Sequence, residues 1–413
     1  MKEKSVLFIA DGPLSNPILL SQGIPHIRIN SSEGIKYFLL SFENPALLEQ
    51  DKNASERDKK CKELLSGKAV LIAVNAPFYR SKLVQNSGIL RALRFFLMIL
   101  NGILVARRTV KKEKIDIIHC RSNFPAFIGV IVSRLTGART LFDNRGVVSA
   151  EASGKLSQKI LLELEKFLIK KSDLVVVVSN KFKEYITEEL LPGRVDPAKI
   201  TVIENGFSPE RINFNQERRN EIRRQLGIEN RNVLIYSGTL SKWQMFDEIC
   251  DTFLEYKKND DSVFFLVLTP NENEATHTIS KKGIAGSDFK VLNITGNDLG
   301  DYLSAGETGV LFRQKNLINR VSAPIKFSEY LGAGLAVLIT AGIGDTSEII
   351  NEYPFGVIVN EYPKDLPNAL KTLQEIIKKP ESQKLRAERA KKQLTVEISA
   401  KKFYCLYKKD IKF

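Results

Sequence analysis

Short, mostly apolar runs recur along this chain, each about one strand long and each followed by a longer charged or amphipathic stretch. In the first half the runs are Val6–Ala10, Tyr37–Phe42, Ala69–Val74, Ile115–Cys120, Arg139–Asp143 and Asp173–Val178. They do not alternate between apolar and polar residues, which is the pattern of strands covered on both faces of a parallel sheet. The stretches between them, 43–68, 89–110, 124–135 and 156–171, carry helical patterning. Parallel neighbours need a crossover, so this alternation predicts an α/β, doubly wound sheet.

The pattern breaks over 191–214, where Pro192, Gly193, Pro197, Asn205-Gly206 and Pro209 interrupt it. It then resumes, with strands predicted at 233–236, 263–269, 291–295, 309–312, 335–339 and 356–359. Helices are expected at 215–227, 244–257, 299–304, 346–351 and 364–378. We therefore expect a Rossmann-like domain over 1–204, a second over 205–385, and a helical tail over 386–413 within a long helical stretch, 381–407.

The net charge of +14 suits anionic partners: nucleotide-linked substrates, an acidic membrane surface or nucleic acid. No nucleic-acid motif accompanies it, so nucleic acid is not expected. Cys61, Cys120, Cys250 and Cys405 show neither pairing nor metal spacing and read as free thiols in a reducing compartment. With only His26, His119 and His277, a histidine metal site is not expected. Lys2-Glu3-Lys4 leads straight into the run from Ser5 to Ala10, which is too short for a signal-peptide core. No segment reads as approaching the roughly 18 apolar residues of a spanning helix. The expectation is a cytoplasmic protein, with any membrane contact peripheral at the inner face of the plasma membrane. Residues 89–114 hold the most apolar helix, ending in Arg107, Arg108, Lys111, Lys112 and Lys114. Two readings stand: a helix lying in an anionic membrane interface, or a core helix with a solvated basic tail.

In such sheets ligands sit beyond the carboxyl ends of strands, which puts Asp11-Gly12, His119–Arg121, Asp143–Arg145 and Ser179 on one rim. Gly12 lies in a strand–turn–helix unit, with Asn16-Pro17 opening the helix, and is a candidate phosphate loop; the three-glycine dinucleotide fingerprint is absent. In the second half, residues 322–339 read as a loop, a short helix with Pro324 in its first turn, and a buried strand. Gly332 and Gly334 end the helix. Lys326 and Glu329, three apart, share one face at the helix start. Lys supplies a point charge for phosphate beside free N–H groups, and Glu is a paired acceptor suited to vicinal ribose hydroxyls. An ordinary i,i+3 surface ion pair has the same spacing.

Pro324, Lys326, Glu329, Tyr330, Leu331, Gly334 and Val337 resemble the Pro-x-Lys-x-x-Glu-Tyr pattern of glycosyltransferase family 4, the retaining enzymes of the GT-B fold. Residues 236–244, 142–146, 199–206 and Pro17-x-x-x-Ser21-Gln22 resemble further stretches of that family, in the same order. The resemblance implies two Rossmann-like domains facing a central cleft, with a C-terminal helix returning to the first. It implies a retaining transferase that moves a sugar from a nucleotide-diphosphate sugar to a lipid-linked or polysaccharide acceptor in cell-surface glycan synthesis.

On this reading Glu329 would bind ribose, Lys242 and Lys326 would neutralise the diphosphate, and Gly238 would admit it closely. The base would rest near Asn293 to Leu299. Asp143, Arg145 and His119 would touch the transferred sugar or the acceptor. The pattern departs at three places. The first of two family glutamates separated by seven residues is Val321, the Arg after the glycine is Thr239, and the Pro after the second glycine is Ala336. Arg313 and Arg320 then become candidates for the diphosphate.

Charge building on a diphosphate leaving group can be met by fixed cations and helix N-termini, so neither cofactor nor metal is expected. The acid–nucleophile carboxylate pair of glycoside hydrolysis is not evident. Two alternatives remain: a nucleotide-sugar 2-epimerase of the same fold, which would need acidic and histidine groups for proton chemistry, and a non-catalytic membrane- or anion-binding protein.

Overall fold

The computed structural model describes residues 4–50, 52–75, 88–294, 296, 298–352, 355–378 and 382–409. Expectations at Lys2, Glu3, Thr295, Glu381 and 410–413 lie outside the described residues. The chain forms two compact units, Met1–Glu204 with Ser399–Phe413, and Asn205–Ile398.

The first unit is a seven-stranded sheet in the order β3-β2-β1-β4-β5-β6-β7, parallel throughout. Its strands are β1 (Lys4–Ile9), β2 (Ile35–Glu43), β3 (Ala69–Asn75), β4 (Ile117–Arg121), β5 (Arg139–Asn144), β6 (Leu174–Val177) and β7 (Ile200–Val202). The order reverses between β1 and β4, and register sets Phe8 beside His119 and Arg121 beside Asp143. The rim side chains are therefore neighbours at the switch point. Asn16 Oδ1 accepts from Ile18 N at 2.9 Å, so Asn16-Pro17 opens a helix as expected. That helix passes through a π-turn, Leu19–Gly23, before Ile24–Ser32.

Later helices of the unit include α1 (Gly88–Glu113), α2 (Asn123–Thr136) and α3 (Lys155–Lys171), with α2 packed against both others. α1 corrects the expectation about spanning segments, since it is long and apolar enough to cross a membrane by length and composition. Its second half is nevertheless fixed to the unit. Ala106 and Val110 are buried, and a Cβ on Gly102 would lie 2.9 Å from Ile128. Its first half is exposed, with Ile89 83% and Phe96 55% accessible.

The second unit is a six-stranded parallel sheet, β10-β9-β8-β11-β12-β13. The strands are β8 (Asn232–Ser237), β9 (Val263–Leu268), β10 (Phe289–Leu292), β11 (Thr308–Leu311), β12 (Ala336–Thr340) and β13 (Gly356–Val359). Between β11 and β12 lies α4 (Ile325–Gly332). Pro324 caps α4 in an extended conformation rather than joining its first turn. Gly334, at φ +84°, makes the reversal into β12.

Three elements differ from expectation. β7 is a three-residue strand within the Pro- and Gly-rich stretch, too short to show periodicity. Helix Glu272–Lys281 buries only Ala275 and Ile279, so its pattern is faint. The tail is two helices, Ser382–Gln393 and Val396–Lys408. The break comes at Leu394-Thr395, where Phe207 N donates to Leu394 O and Phe207 O accepts from Val396 N, both at 2.9 Å. Residues up to Ile398 belong to the second unit, so the division falls after 398 rather than after 385. From Ser399 on the chain is part of the first unit, where Phe403, Leu406 and Tyr407 are core residues.

Candidate active site

At the carboxyl rim of the second sheet, β8 runs into Gly238, β11 into Phe312-Arg313, and α4 begins with Lys326 in its first turn. Lys326 Nζ donates to Gln244 Oε1 and lies 4.8 Å over the Tyr236 ring. Gly238 has φ +132°, and a Cβ there would sit where the Lys326 ammonium lies. Gln244 is held in turn, its Nε2 donating to Thr239 Oγ1 at 2.9 Å and its Oε1 accepting from Tyr236 OH at 3.1 Å.

Arg313 is buried under the only tryptophan of the chain, its guanidinium 4.0 Å from the Trp243 ring. Its Nε has no hydrogen-bond partner. Among the described residues neither Arg313 nor Lys326 pairs with a carboxylate at ion-pair distance. Burial pushes the Lys326 ammonium down to about 7, with the nearby Arg313 charge adding to the fall. Burial likewise pushes Arg313 down to about 10. Glu329, half-buried on the same helix, has its carboxyl raised by burial, against the opposing pull of Arg211 and Lys326. Two desolvated cations without a counter-ion form a receptor for an anion, because a phosphate would relieve a charge the fold leaves uncompensated.

Other expected donor residues lie elsewhere. Lys242 is exposed on a 3-10 turn, and Gln244, two residues on, is the side chain turned inward. Asn293 is exposed, whereas Leu299 is half-buried against the core. Val321 is buried and offers no carboxylate.

On the first sheet, Asp143 at the end of β5 collects three partners. His119 Nε2 is 3.3 Å from its Oδ2, Arg121 Nη1 donates to the same oxygen at 3.3 Å, and Arg145 Nε lies 2.6 Å from Oδ1. A carboxylate only accepts, so His119 carries its proton on Nε2, and Nδ1 accepts from Tyr407 OH at 2.6 Å. Burial alone would raise the Asp143 carboxyl, but Arg145, the His119 contact and Arg121 outweigh it and hold it well below the usual carboxylate range. Burial lowers His119, which Asp143 only partly offsets.

Asp143 and His119 are each 1% exposed and Arg121 4%. The expectation that Asp143 and His119 touch sugar or acceptor is thus corrected: they are sealed, and act as an internal clamp that fixes the rim. Arg145 is part of the same clamp, donating to Ile203 O and lying 5.6 Å over Phe403. The clamp reaches the surface through Arg121 Nη2, which donates to Gln22 Oε1 at 2.6 Å from the π-turn. Ser122, next along, has φ +76°, a strained conformation of the kind that gathers at functional rims.

Gly12 does not form the expected phosphate loop. Its carbonyl accepts from Phe42 N, and the nearby Leu14 N–H is taken by the Glu43 carboxylate at 3.1 Å, which places a negative charge where an anion would lie.

The family described as Glycosyltransferase Family 4 matches residues 73–211, and that described as Glycosyl transferases group 1 matches residues 218–393. The chain belongs to glycosyltransferase family 4. An Escherichia coli UDP-Gal:alpha-D-GlcNAc-diphosphoundecaprenol alpha-1,3-galactosyltransferase is 29% identical over 166 residues, a match that spans 39% of this chain and 42% of that enzyme's length. HepE of Anabaena, solved with UDP and glucose, superposes with a TM-score of 0.67 at 15% identity, over 98% of this chain and 99% of that one. A glycosyltransferase from Rickettsia africae gives 0.69 at 17% identity, over 99% and 98%. The two parallel α/β units of this family 4 glycosyltransferase are therefore the GT-B fold.

Several residues of its rims were missed in the sequence. Gln244 and Tyr236 stand inside a matched stretch, yet only the fold shows that they, and not Lys242, meet Lys326. Arg211 lies in the interrupted segment, and Tyr407 in a tail with no motif at all.

Proposed function

We propose that this family 4 glycosyltransferase moves a glycosyl group from a nucleoside diphosphate sugar to a lipid-linked or growing glycan acceptor, with retention at the anomeric carbon. The observation that carries this is a pair of cations without a carboxylate partner at ion-pair distance: Arg313, buried under Trp243, and the half-buried Lys326 beside Gly238. As the glycosyl–oxygen bond breaks, negative charge grows on the diphosphate, and cations fixed beforehand stabilise it without reorganising. These two take the place of the Arg that is Thr239 here. Glu329, one turn into α4 and half-buried, would take the ribose diol. Charge compensation by side chains makes the reaction independent of added metal. UDP is the first nucleotide to test, since HepE was solved with it and the E. coli relative is named for UDP-Gal.

The membrane supplies the acceptor. On α1, Ile89, Leu93, Phe96, Leu100 and Leu104 recur every three or four residues and are all exposed. Arg107 and Lys111 continue the same face. This stripe lies in an anionic bilayer interface with the basic end among head groups. The protein accordingly works at the inner face of the plasma membrane.

The test is UDP binding and sugar transfer in the same preparation, with and without EDTA. Arg313→Ala and Lys326→Ala should each lower transfer about 100-fold or more, with EDTA without effect. Undiminished transfer in both variants overturns the site, and epimerised sugar from donor alone would replace transfer by epimerisation.

A further inference from the structure

α1 is not the only helix of the first unit whose opening turns carry bare apolar side chains. Residues 155–160 of α3 are all exposed, with Leu156 73% and Ile160 60% accessible, while Glu165, Leu168 and Ile169 further along are buried. Leu156 and Ile160 are four apart and share a face; Lys155 and Lys159, also four apart, flank it. The first two turns thus stand off the body of the unit as a small apolar ridge edged by cations.

Two further facts indicate what the ridge meets. α1 follows β3 and α3 follows β5 in one parallel sheet, so both helices begin at its carboxyl edge. With α2 packed against both, their axes are at most roughly 20 Å apart, two interhelical spacings. One plane can touch both. The charge is also the wrong sign for a helix start in water: neither helix has an acidic residue in its first turn, while Lys155 and Lys159 on α3 and Arg91 on α1 oppose the dipole. An anionic surface removes that penalty. A two-fold contact with a second copy would set these cations against themselves.

We infer that the first two turns of α3 are a second bilayer-insertion element, with Leu156 and Ile160 entering the interface and Lys155 and Lys159 on anionic head groups. This rests on the membrane reading of α1. The carboxyl rim that carries Gln22 and Arg121 is then held toward the bilayer from two sides, so a lipid-linked acceptor reaches it without leaving the membrane surface.

The test is sedimentation of the full chain with vesicles of phosphatidylglycerol or of phosphatidylcholine alone. Leu156→Gln/Ile160→Gln should weaken partition onto the anionic vesicles about tenfold. Lys155→Gln/Lys159→Gln should weaken it about fivefold per lysine and flatten its salt dependence. Leu93→Gln/Phe96→Gln/Leu100→Gln on α1 should weaken it at least as much. All variants should keep the thermal shift given by UDP, which controls for folding.

Wild-type partition of Leu156→Gln/Ile160→Gln, beside loss in the α1 variant, overturns the α3 element and leaves α1 standing. Wild-type partition of both apolar variants overturns the membrane reading itself. A dimer that Leu156→Gln/Ile160→Gln dissociates, with partition unchanged, makes the ridge a contact between copies and overturns the inference.

Discussion

At the scale of single residues, Lys326 is a side chain whose charge the fold strongly disfavours. Its ammonium sits near 7 because burial and Arg313 disfavour the charge; Gln244, Tyr236 and Glu329 are the other groups around it. A nucleoside diphosphate favours the charged form, so binding raises this value. Affinity is then fully present below about pH 7 and declines as pH rises above it, because each binding event must first load a proton. UDP affinity should fall by up to about tenfold per pH unit above 7, with proton uptake visible as a buffer-dependent heat in calorimetry. Lys326→Met should bind weakly at every pH and lose the slope. A slope that survives in Lys326→Met assigns the titration elsewhere.

A different residue-scale consequence follows from Asp143. Removing its charge leaves the buried Arg121 beside the half-buried Arg145 without their shared carboxylate. Asp143→Asn should therefore destabilise the first unit by about 3–5 kcal/mol, read as a fall in denaturant midpoint, with UDP binding in the second unit unchanged.

At the scale of elements, α4 and the turn after it show what a glycine supplies. Gly334 has φ +84°, and a Cβ there would lie 2.9 Å from Gln383 O. Gly334→Ala should cost about 2 kcal/mol or more from strain and crowding together. Thermal unfolding should move down by several degrees; an unchanged midpoint would mean that the turn relaxes freely.

This helix also shows how legible the chain is. Its position, its apolar face and the strand after it could be read directly, because a 3.6-residue pattern followed by a run of five apolar residues has few other solutions. So could most of the thirteen strands among the described residues. β7 and helix Glu272–Lys281 could not, since one is three residues long and the other buries two side chains. The rims were legible by position and not by role. Asp143 and His119 do stand at the carboxyl ends of their strands, but whether such a side chain is open or sealed depends on what packs over it. Here that is Phe403 and Tyr407, whose rings lie 5.0 and 6.0 Å from His119 and which come from the far end of the chain. Likewise Gln244 rather than Lys242 faces Lys326: two residues apart, they would share a face in a strand, but a 3-10 turn sets them roughly 120° apart.

At the scale of the whole molecule, a stretch near the C-terminal end, residues 403–407, completes the core of the first unit. Phe403, Leu406 and Tyr407 are 0%, 3% and 1% exposed, and Tyr407 also gives the hydrogen bond that fixes the His119 tautomer. Loss of one large buried aromatic typically costs about 3–5 kcal/mol, comparable to a large share of a domain's stability. A chain ending after Ile398 should thus lose the first unit selectively. The second unit keeps every group of the Arg313–Lys326 receptor and its own sheet, so it should still bind UDP. Calorimetry should then show two transitions where the full chain is more cooperative, with the lower one unaffected by UDP and the upper one raised in proportion to the logarithm of UDP concentration. Sugar transfer should be abolished while nucleotide binding persists within a few-fold. If the shortened chain instead melts in one transition that UDP shifts as in the full protein, the C-terminal residues are not the keystone of the first core, and the packing of Phe403 and Tyr407 on His119 contributes little to holding that rim in place.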